Sequence, residues 1–447
     1  MAIPISLLIV AALSLDPSAP APEQGPSDMV RQAIAALSPE HAKSDVEKLA
    51  AFGTRHSLSD REPKDRGYLA AANWVKAQID ALAPNSGGRL TCELETFDVP
   101  PSTRIPKGAT LTNVVARLRG VDPAAADRVV YLSAHLDSRN ADPMDAAADA
   151  PGANDDASGC AVLLESARVL STVPLRSSVV FLFTAGEEQG LIGAKQHADN
   201  AAGAHEHILA VLNNDIVGDP VDQHSGAKLV RVFSEGTARN PGAEESAAVR
   251  SNAAESDSPS RELARFIDEV AAMYDLPVRP KLVFRPDRFL RGGDHLPFND
   301  AGFPAVRFTT LKETFDRQHA NVTTRDAKPY GDVPAFVDPA YTVGVARINA
   351  LAAMHLAMAP AAPARVRIVT AKLDNQTTLR WDKGEDALGY EIVYRDTTSP
   401  TWQHVIDVGS ATEKTLDITK DDNFFGVRAY SAPAWRSVAV FARAAKE

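Results

Sequence analysis

The chain has almost no cysteine: Cys92 and Cys160 are the only two in 447 residues. Two cysteines cannot hold a chain of this length as a disulfide scaffold, and no spacing forms a cysteine zinc site. Cys160 sits in an apolar helical pattern, which favours a buried free thiol, while a Cys92–Cys160 pair stays open. Positive charge is also short, with 47 Lys and Arg against 58 Asp and Glu. A net charge of -11 with no basic face argues against a nucleic-acid partner and serves solubility. Long apolar runs are missing, so nothing reads as a membrane span. Residues 1–15 have the length of a secretory apolar core, and Ser18, Ala19 and Ala21 supply small residues for cleavage, yet no Lys or Arg precedes Arg31. We read 1–25 as signal peptide and linker, which makes the protein secreted or periplasmic.

What is present is ordinary globular material, 45% hydrophobic and 23% charged, long enough for two or three domains. Residues 45–52 and 67–82 have helical apolar stripes, and 90–99 and 111–118 alternate like strands. An α/β grammar follows. Apolar runs at 128–133, 178–184, 208–212, 228–233 and 305–309 predict strands, and 157–170, 190–200, 261–274 and 338–358 predict helices. This alternation implies a largely parallel sheet covered on both faces, with any site beyond the carboxyl ends of its strands. The polar, periodless stretch 234–259 reads as a mobile surface insertion. After the Pro/Ala linker at 358–364 the pattern changes to seven short strands spaced as in a β-sandwich. There, Trp381, the run 390–395 and the run 424–430 resemble a fibronectin type III domain.

Five polar segments stand in order, most of them just after apolar runs. His135 and Asp137 are two apart at a strand end and so point to one face. Such a pair suits a metal-binding imidazole with a carboxylate fixing its tautomer, and equally a surface pair. Asp155 and Asp156 precede a helix, where one can cap while the other reaches a metal; Gly152 and Gly159 permit close approach. Glu187 and Glu188 follow a fully apolar strand; adjacent side chains diverge, so one can ligate while the other faces a water as general base. Asp215 follows a strand, and His319 lies in a polar stretch where a lone histidine is ordinarily a surface residue.

Taken together these segments resemble the co-catalytic zinc exopeptidases of the bacterial leucyl aminopeptidase and aminopeptidase Y type, across about two-thirds of the chain. The resemblance implies a mixed, mainly parallel central sheet flanked by helices over 26–360, ahead of the all-β sandwich at 363–447. It also implies two Zn2+ ions. Asp155 would bridge both, His135 and Asp215 would complete one shell, and Glu188 and His319 the other. Glu187 would be the general base, Asp137 would orient His135, and Asp156 would follow Asp155 in the turn that aims it. Asp294 and His295 match a family segment beside the site that is not a ligand. Some relatives carry a tyrosine shortly before that segment; here Arg288 and Arg291 stand nearby, and an arginine is expected to supply the positive charge instead. The implied activity is hydrolysis of N-terminal residues from peptides with a free N-terminus. Two other readings remain: a glutaminyl cyclase-like or carboxypeptidase-type relative, and an inactive binding protein of the same fold. Oxygen and nitrogen ligands would also suit other divalent ions. The C-terminal unit shows no acid/base cluster, so its default role is binding a surface, a polymer or the catalytic domain.

Overall fold

Two strands, β3 (Arg128–His135) and β4 (Ser178–Thr184), are buried at every position. A strand buried on both faces needs partners on both edges and helices on either side. The computed structural model, which describes residues 28–221, 228–371, 374–431 and 435–445, supplies both; the signal-like segment and the linker at 17–27 lie outside the described residues. The other strands of this sheet are β1 (Leu90–Val99), β2 (Ala109–Leu118), β5 (His207–Asn214), β6 (Lys228–Ser234), β7 (Val278–Val283) and β8 (Ala305–Thr310). Their order is β1-β2-β4-β3-β5-β8-β6-β7. The centre β4-β3-β5-β8 is parallel. The β1–β2 hairpin joins β4 antiparallel, and β6 joins β8 antiparallel. The sheet is therefore mixed and mainly parallel at its core.

The pleat divides each central strand between two layers. Val130, Leu132 and Ala134 of β3, with Val179, Phe181 and Phe183 of β4, enter the larger core. That core packs against helices α1 (Asp28–Ala35), α2 (Pro39–Ala50), α3 (Tyr68–Asp80), α4 (Ala157–Leu170), α7 (Pro259–Ala272) and α9 (Pro339–Met358). Val129 and Tyr131 of β3, with Val180 and Leu182 of β4, face the opposite way. They meet α5 (Ile192–Gly203) and α8 (His295–Asp300). Each fully buried side chain of this kind contributes roughly 1.5–3 kcal/mol. Both cysteines are free, with Cys160 buried in α4.

Several elements differ from the expectation. Helix α2 starts at Pro39 because Ser38 caps it, accepting from the His41 amide at 3.3 Å. Helices α1 and α8 and strand β7 were not anticipated. The stretch 234–259 contains α6 (Ala243–Ser251), a helix with no buried residue. Its lack of period reflects the lack of a core face, not the lack of structure. A small hairpin, β9 (Thr323–Arg325) with β10 (Lys328–Tyr330), follows the main sheet.

Residues 364–445 form two further sheets around a separate core that includes Leu379, Trp381, Tyr390, Ile392, Phe425 and Val427. Strands Glu413–Leu416, Thr377–Asp382, Ala364–Val369 and Arg443–Ala445 make one, and strands His404–Asp407, Gly389–Asp396, Asn423–Ser431 and Trp435–Arg436 the other, with Val440–Phe441 also pairing to Asn423–Ser431.

Candidate metal centre

The parallel centre of the sheet sets the site. β3 ends on His135, and the chain continues through Asp137 and Arg139. β4 ends at Thr184, two residues before the Gly186 turn (φ 72) that presents Glu187 and Glu188. β5 ends at Asn214, next to Asp215. Asp155 comes from the turn before α4, and His319 from the loop after β8, at a positive φ of 54. Such a φ is uncommon outside glycine and is held only where surroundings dictate it.

These groups converge. His135 Nε2 lies 2.9 Å from Asp155 Oδ1 and 3.9 Å from Asp215 Oδ1. His319 Nε2 lies 2.9 Å from the other oxygen of Asp155 and 2.8 Å from Glu188 Oε1. Two sets result: His135, Asp155 and Asp215, and Asp155, Glu188 and His319, with the ligand atoms of each within 4.8 Å of one another. Asp155 belongs to both sets through different oxygens. Glu187 lines the same cleft, which measures about 440 Å3.

Main-chain anchors hold this arrangement. Asp156 is fully buried and accepts amide hydrogens from Gly159 (2.9 Å), His135 (3.2 Å) and Ile216 (3.2 Å). It thus caps α4 and ties that helix to the ends of β3 and β5. Asp137 uses its carboxylate for more than His135: its oxygens accept from the amides of Glu187 (3.2 Å) and Glu188 (3.1 Å). The ring of His135 donates from Nδ1 to the Asp137 carbonyl at 3.0 Å, with the carboxylate at 3.6 Å. That bond puts the ring proton on Nδ1 and turns the Nε2 lone pair toward the acids. The Asp155 turn is gripped by Asp332, whose two oxygens take the amides of Asn154 (2.8 Å) and Asp155 (2.7 Å).

The electrostatics show what the chain leaves uncompensated. Burial opposes ionisation of Asp155, yet His319 and His135 hold its carboxyl well below the usual range. Burial pushes Glu187 well above its ordinary value, and Asp215 and Glu188 add to that push against the pull of His135. Asp332 is pushed up to about 7 by burial, as is Asp294. Glu188 Oε1 is buried and makes no hydrogen bond even though His319 Nε2 is near. Two buried carboxylates, Asp155 and Glu188, converge on one edge of this imidazole, a crowding of acids that is costly without further positive charge among them. The donor set, two imidazoles and three carboxylates, is that of a zinc site. Arg139 partly stands in for such a cation, donating to Glu188 Oε2 at 2.9 Å and to His319 Nδ1 at 2.7 Å. Were His319 to hold a metal through Nε2, its proton would sit on Nδ1 and this last contact would be given up.

Other expected residues fall around this centre. Asp294 is buried against Thr184 Oγ1, and its second oxygen has no hydrogen-bond partner. His295 is buried at the start of α8, 2.7 Å from the Pro286 carbonyl, and joins neither ligand set. Arg288 is held by Asp287 (3.0 Å) and Glu313 (2.6 Å), and Arg291 lines the cleft. Sequence reasoning missed Arg139, Asp332, Gln318 and Arg307. Gln318 donates to Asp155 at 3.1 Å, and Arg307 lies 2.9 Å from Asp215 and 3.0 Å from Asp287. Arg139 continues the alternation of His135 and Asp137, a signal that was there to read. Asp332 carries no local signal at all.

Known proteins agree with this architecture. The Legionella pneumophila LapA aminopeptidase aligns over 80% of this chain and 80% of its own, with a TM-score of 0.51 at 18% identity. An aminopeptidase from Aneurinibacillus sp. strain AM-1 aligns over 73% of this chain and 96% of its own, with a TM-score of 0.51 at 15% identity. The fold is therefore that of these aminopeptidases. The sequence profile of Peptidase family M28 matches residues 113–333. A probable zinc metalloprotease of Leptosphaeria maculans is 39% identical, covering 94% of this chain and 97% of its own length. One from Pyricularia oryzae is 40% identical over 95% of this chain. The chain belongs to peptidase family M28 and is a zinc metallopeptidase.

Proposed function

We propose that this metallopeptidase is a two-zinc aminopeptidase acting on peptides with a free N-terminus. The observation that carries this reading is Asp155, which offers one oxygen to each of two three-residue ligand sets. His135 and Asp215 would complete one set, and Glu188 and His319 the other. Zinc in these sets would supply the Lewis acidity that brings a water's pKa toward neutrality and polarises a carbonyl. Glu187 is the general base. It lines the cleft beside both sets, where a carboxylate can take a proton from water and return it to the leaving amine. Asp137 fixes the Glu187–Glu188 turn through two amides, so the base and a ligand share one rigid support.

A cleft of about 440 Å3 is the size of an ordinary small-ligand site. Its acidic floor would hold an ammonium group. The test is release of the N-terminal residue by the zinc-loaded protein from amino-acid anilides and from peptides, with and without N-acetylation, beside elemental analysis. Two zinc ions per chain and loss of activity on acetylation support the reading. One zinc with cyclisation of N-terminal glutamine would replace it with a cyclase. We also infer secretion from the N-terminal apolar run, a catalytic unit over 26–360, and a fibronectin type III-like unit over 363–447 that binds the catalytic unit.

A further inference from the structure

The cleft above the ligand sets holds four arginines, and two of them have no carboxylate to themselves. Arg104, Arg139, Arg288 and Arg291 all line it. Arg139 has Glu188, and Arg288 has both Asp287 and Glu313. Arg291 is less well served. Its Nη1 is 3.7 Å from the Glu313 oxygen that Arg288 already holds at 2.6 Å, and the other oxygen takes Arg231 at 3.0 Å. Three guanidiniums thus share one carboxylate. Arg104, in the loop between β1 and β2, donates to the Glu188 carbonyl. Among the described residues no carboxylate lies within 4.0 Å of it. Zinc in the ligand sets would itself neutralise the acids there, so neutralising the ligands does not explain these two arginines. Leu290, between Arg288 and Arg291, is fully exposed on the same rim at a φ of 57.

A guanidinium presents a planar fork of donors that matches a carboxylate in two places at once. We propose that Arg104 and Arg291 form a carboxylate-recognition subsite, so that the preferred substrate is a short peptide bearing a carboxylate just beyond the scissile bond. This rests on the aminopeptidase reading. The carboxylate can be the C-terminus of a dipeptide or an acidic side chain on the residue after the bond. Free N-terminus and carboxylate would then be held at opposite ends of one small cleft, and the protein would finish the breakdown of short peptides.

The experiment measures kcat/KM of the zinc-loaded full chain on two pairs: Leu-Leu against Leu-Leu-amide, and Leu-Glu-amide against Leu-Gln-amide. We expect the anionic member of at least one pair to be favoured by about tenfold or more. The first pair reports a C-terminal carboxylate and the second an acidic side chain. In an Arg104→Gln/Arg291→Gln protein that ratio should fall toward one, whereas Arg291→Lys should keep part of it; zinc content measured alongside separates lost recognition from lost metal. If the double variant fails to fold, Arg104→Gln alone, at an exposed loop residue, gives the same reading. Ratios near one in the unmodified protein, or a ratio unchanged by the substitutions, overturn the subsite while leaving the aminopeptidase intact. Cleavage of none of the four peptides overturns the aminopeptidase reading and this inference with it.

Discussion

The chain buries charge in two places and balances it in two ways. Where the C-terminal sheets meet the catalytic unit, helix α7 presents Glu262, Arg265 and Glu269 at helical spacing along one face. Arg265 meets Asp257 at 3.1 Å, Arg395 reaches the same Asp257 at 2.6 Å, and Trp402 donates to Glu262 at 2.9 Å. Arg428 bonds both Glu269 and Glu391 at 2.7 Å. Glu262, pushed up to about 8 by burial against the pull of Arg265, keeps its proton near neutrality beside Asp257. Here each ionised acid has an arginine from the chain. At the carboxyl edge of the main sheet, by contrast, Asp155, Asp215 and Glu188 crowd around two imidazoles; Arg307 answers Asp215 and Arg139 answers Glu188, but Asp155 meets only the two histidines and Gln318. The first cluster is charge-paired by the chain's own arginines, although Asp257 Oδ2 and Arg395 Nε are left without hydrogen bonds. In the second, the acid shared by both sets has no arginine.

That contrast can be broken at either end. The largest effect should come from Asp155→Ala, which removes an oxygen from both ligand sets. We expect loss of both zinc ions and all measurable activity, while His319→Ala loses one ion; equal zinc losses by elemental analysis would refute the shared role of Asp155. Glu187→Gln should keep both ions and lose roughly two to four powers of ten in kcat. A wild-type rate would remove Glu187 as the base. At the interface, Arg395→Ala leaves Asp257 buried with one arginine fewer and should lower unfolding free energy by roughly 3–5 kcal/mol in denaturant titration. It should leave zinc content unchanged, and zinc loss would show that the two clusters are coupled. For the same reason a chain ending at Ala362 should lose stability rather than merely lose an attachment.

The smallest effect concerns His355, at the end of α9. It is 3.0 Å from the Tyr274 hydroxyl, and its ring lies edge-on to Trp435 with centroids 5.0 Å apart. Burial, with help from Arg436, lowers its pKa to about 4. The unfolded chain then binds a proton that the folded one refuses, so stability present above pH ~6.5 is lost as pH falls toward ~4. The slope contributed is about 1.4 kcal/mol per pH unit within that window. His355→Gln should flatten the acid limb by that amount in urea midpoints taken across pH, and an unchanged limb would count against it.

Much of this architecture is written locally. β3 and β4 are unbroken apolar runs because both faces are covered, and α4 shows its stripe because it packs on them. His135, Glu187, Glu188 and Asp215 stand out because carboxylates and imidazoles directly after such runs are expensive without a purpose, whereas Asp155 is marked by its place before a helix and His319 only by the company of the other segments. What local pattern could not show are contacts made across long stretches of chain. Asp332 grips the Asp155 turn from 177 residues away, and Arg307 answers Asp215 from β8. The second use of Asp137 also has no local signal, because beside facing His135 its carboxylate serves two amides 50 and 51 residues on. Helix α6 hid for the opposite reason, since a helix with no buried side writes no period.

The order of residues therefore determined which strands are central, where the acids cluster and that they sit at strand ends, since apolar period and strand polarity act over a few residues. Only the tertiary structure decided that Asp155 divides its two oxygens between two ligand sets, that α7 faces the C-terminal sheets with matched charges, and that Arg104 and Arg291 overlook one cleft. Those outcomes depend on distances between side chains far apart in sequence, and such distances exist only once the sheet has brought its strands together.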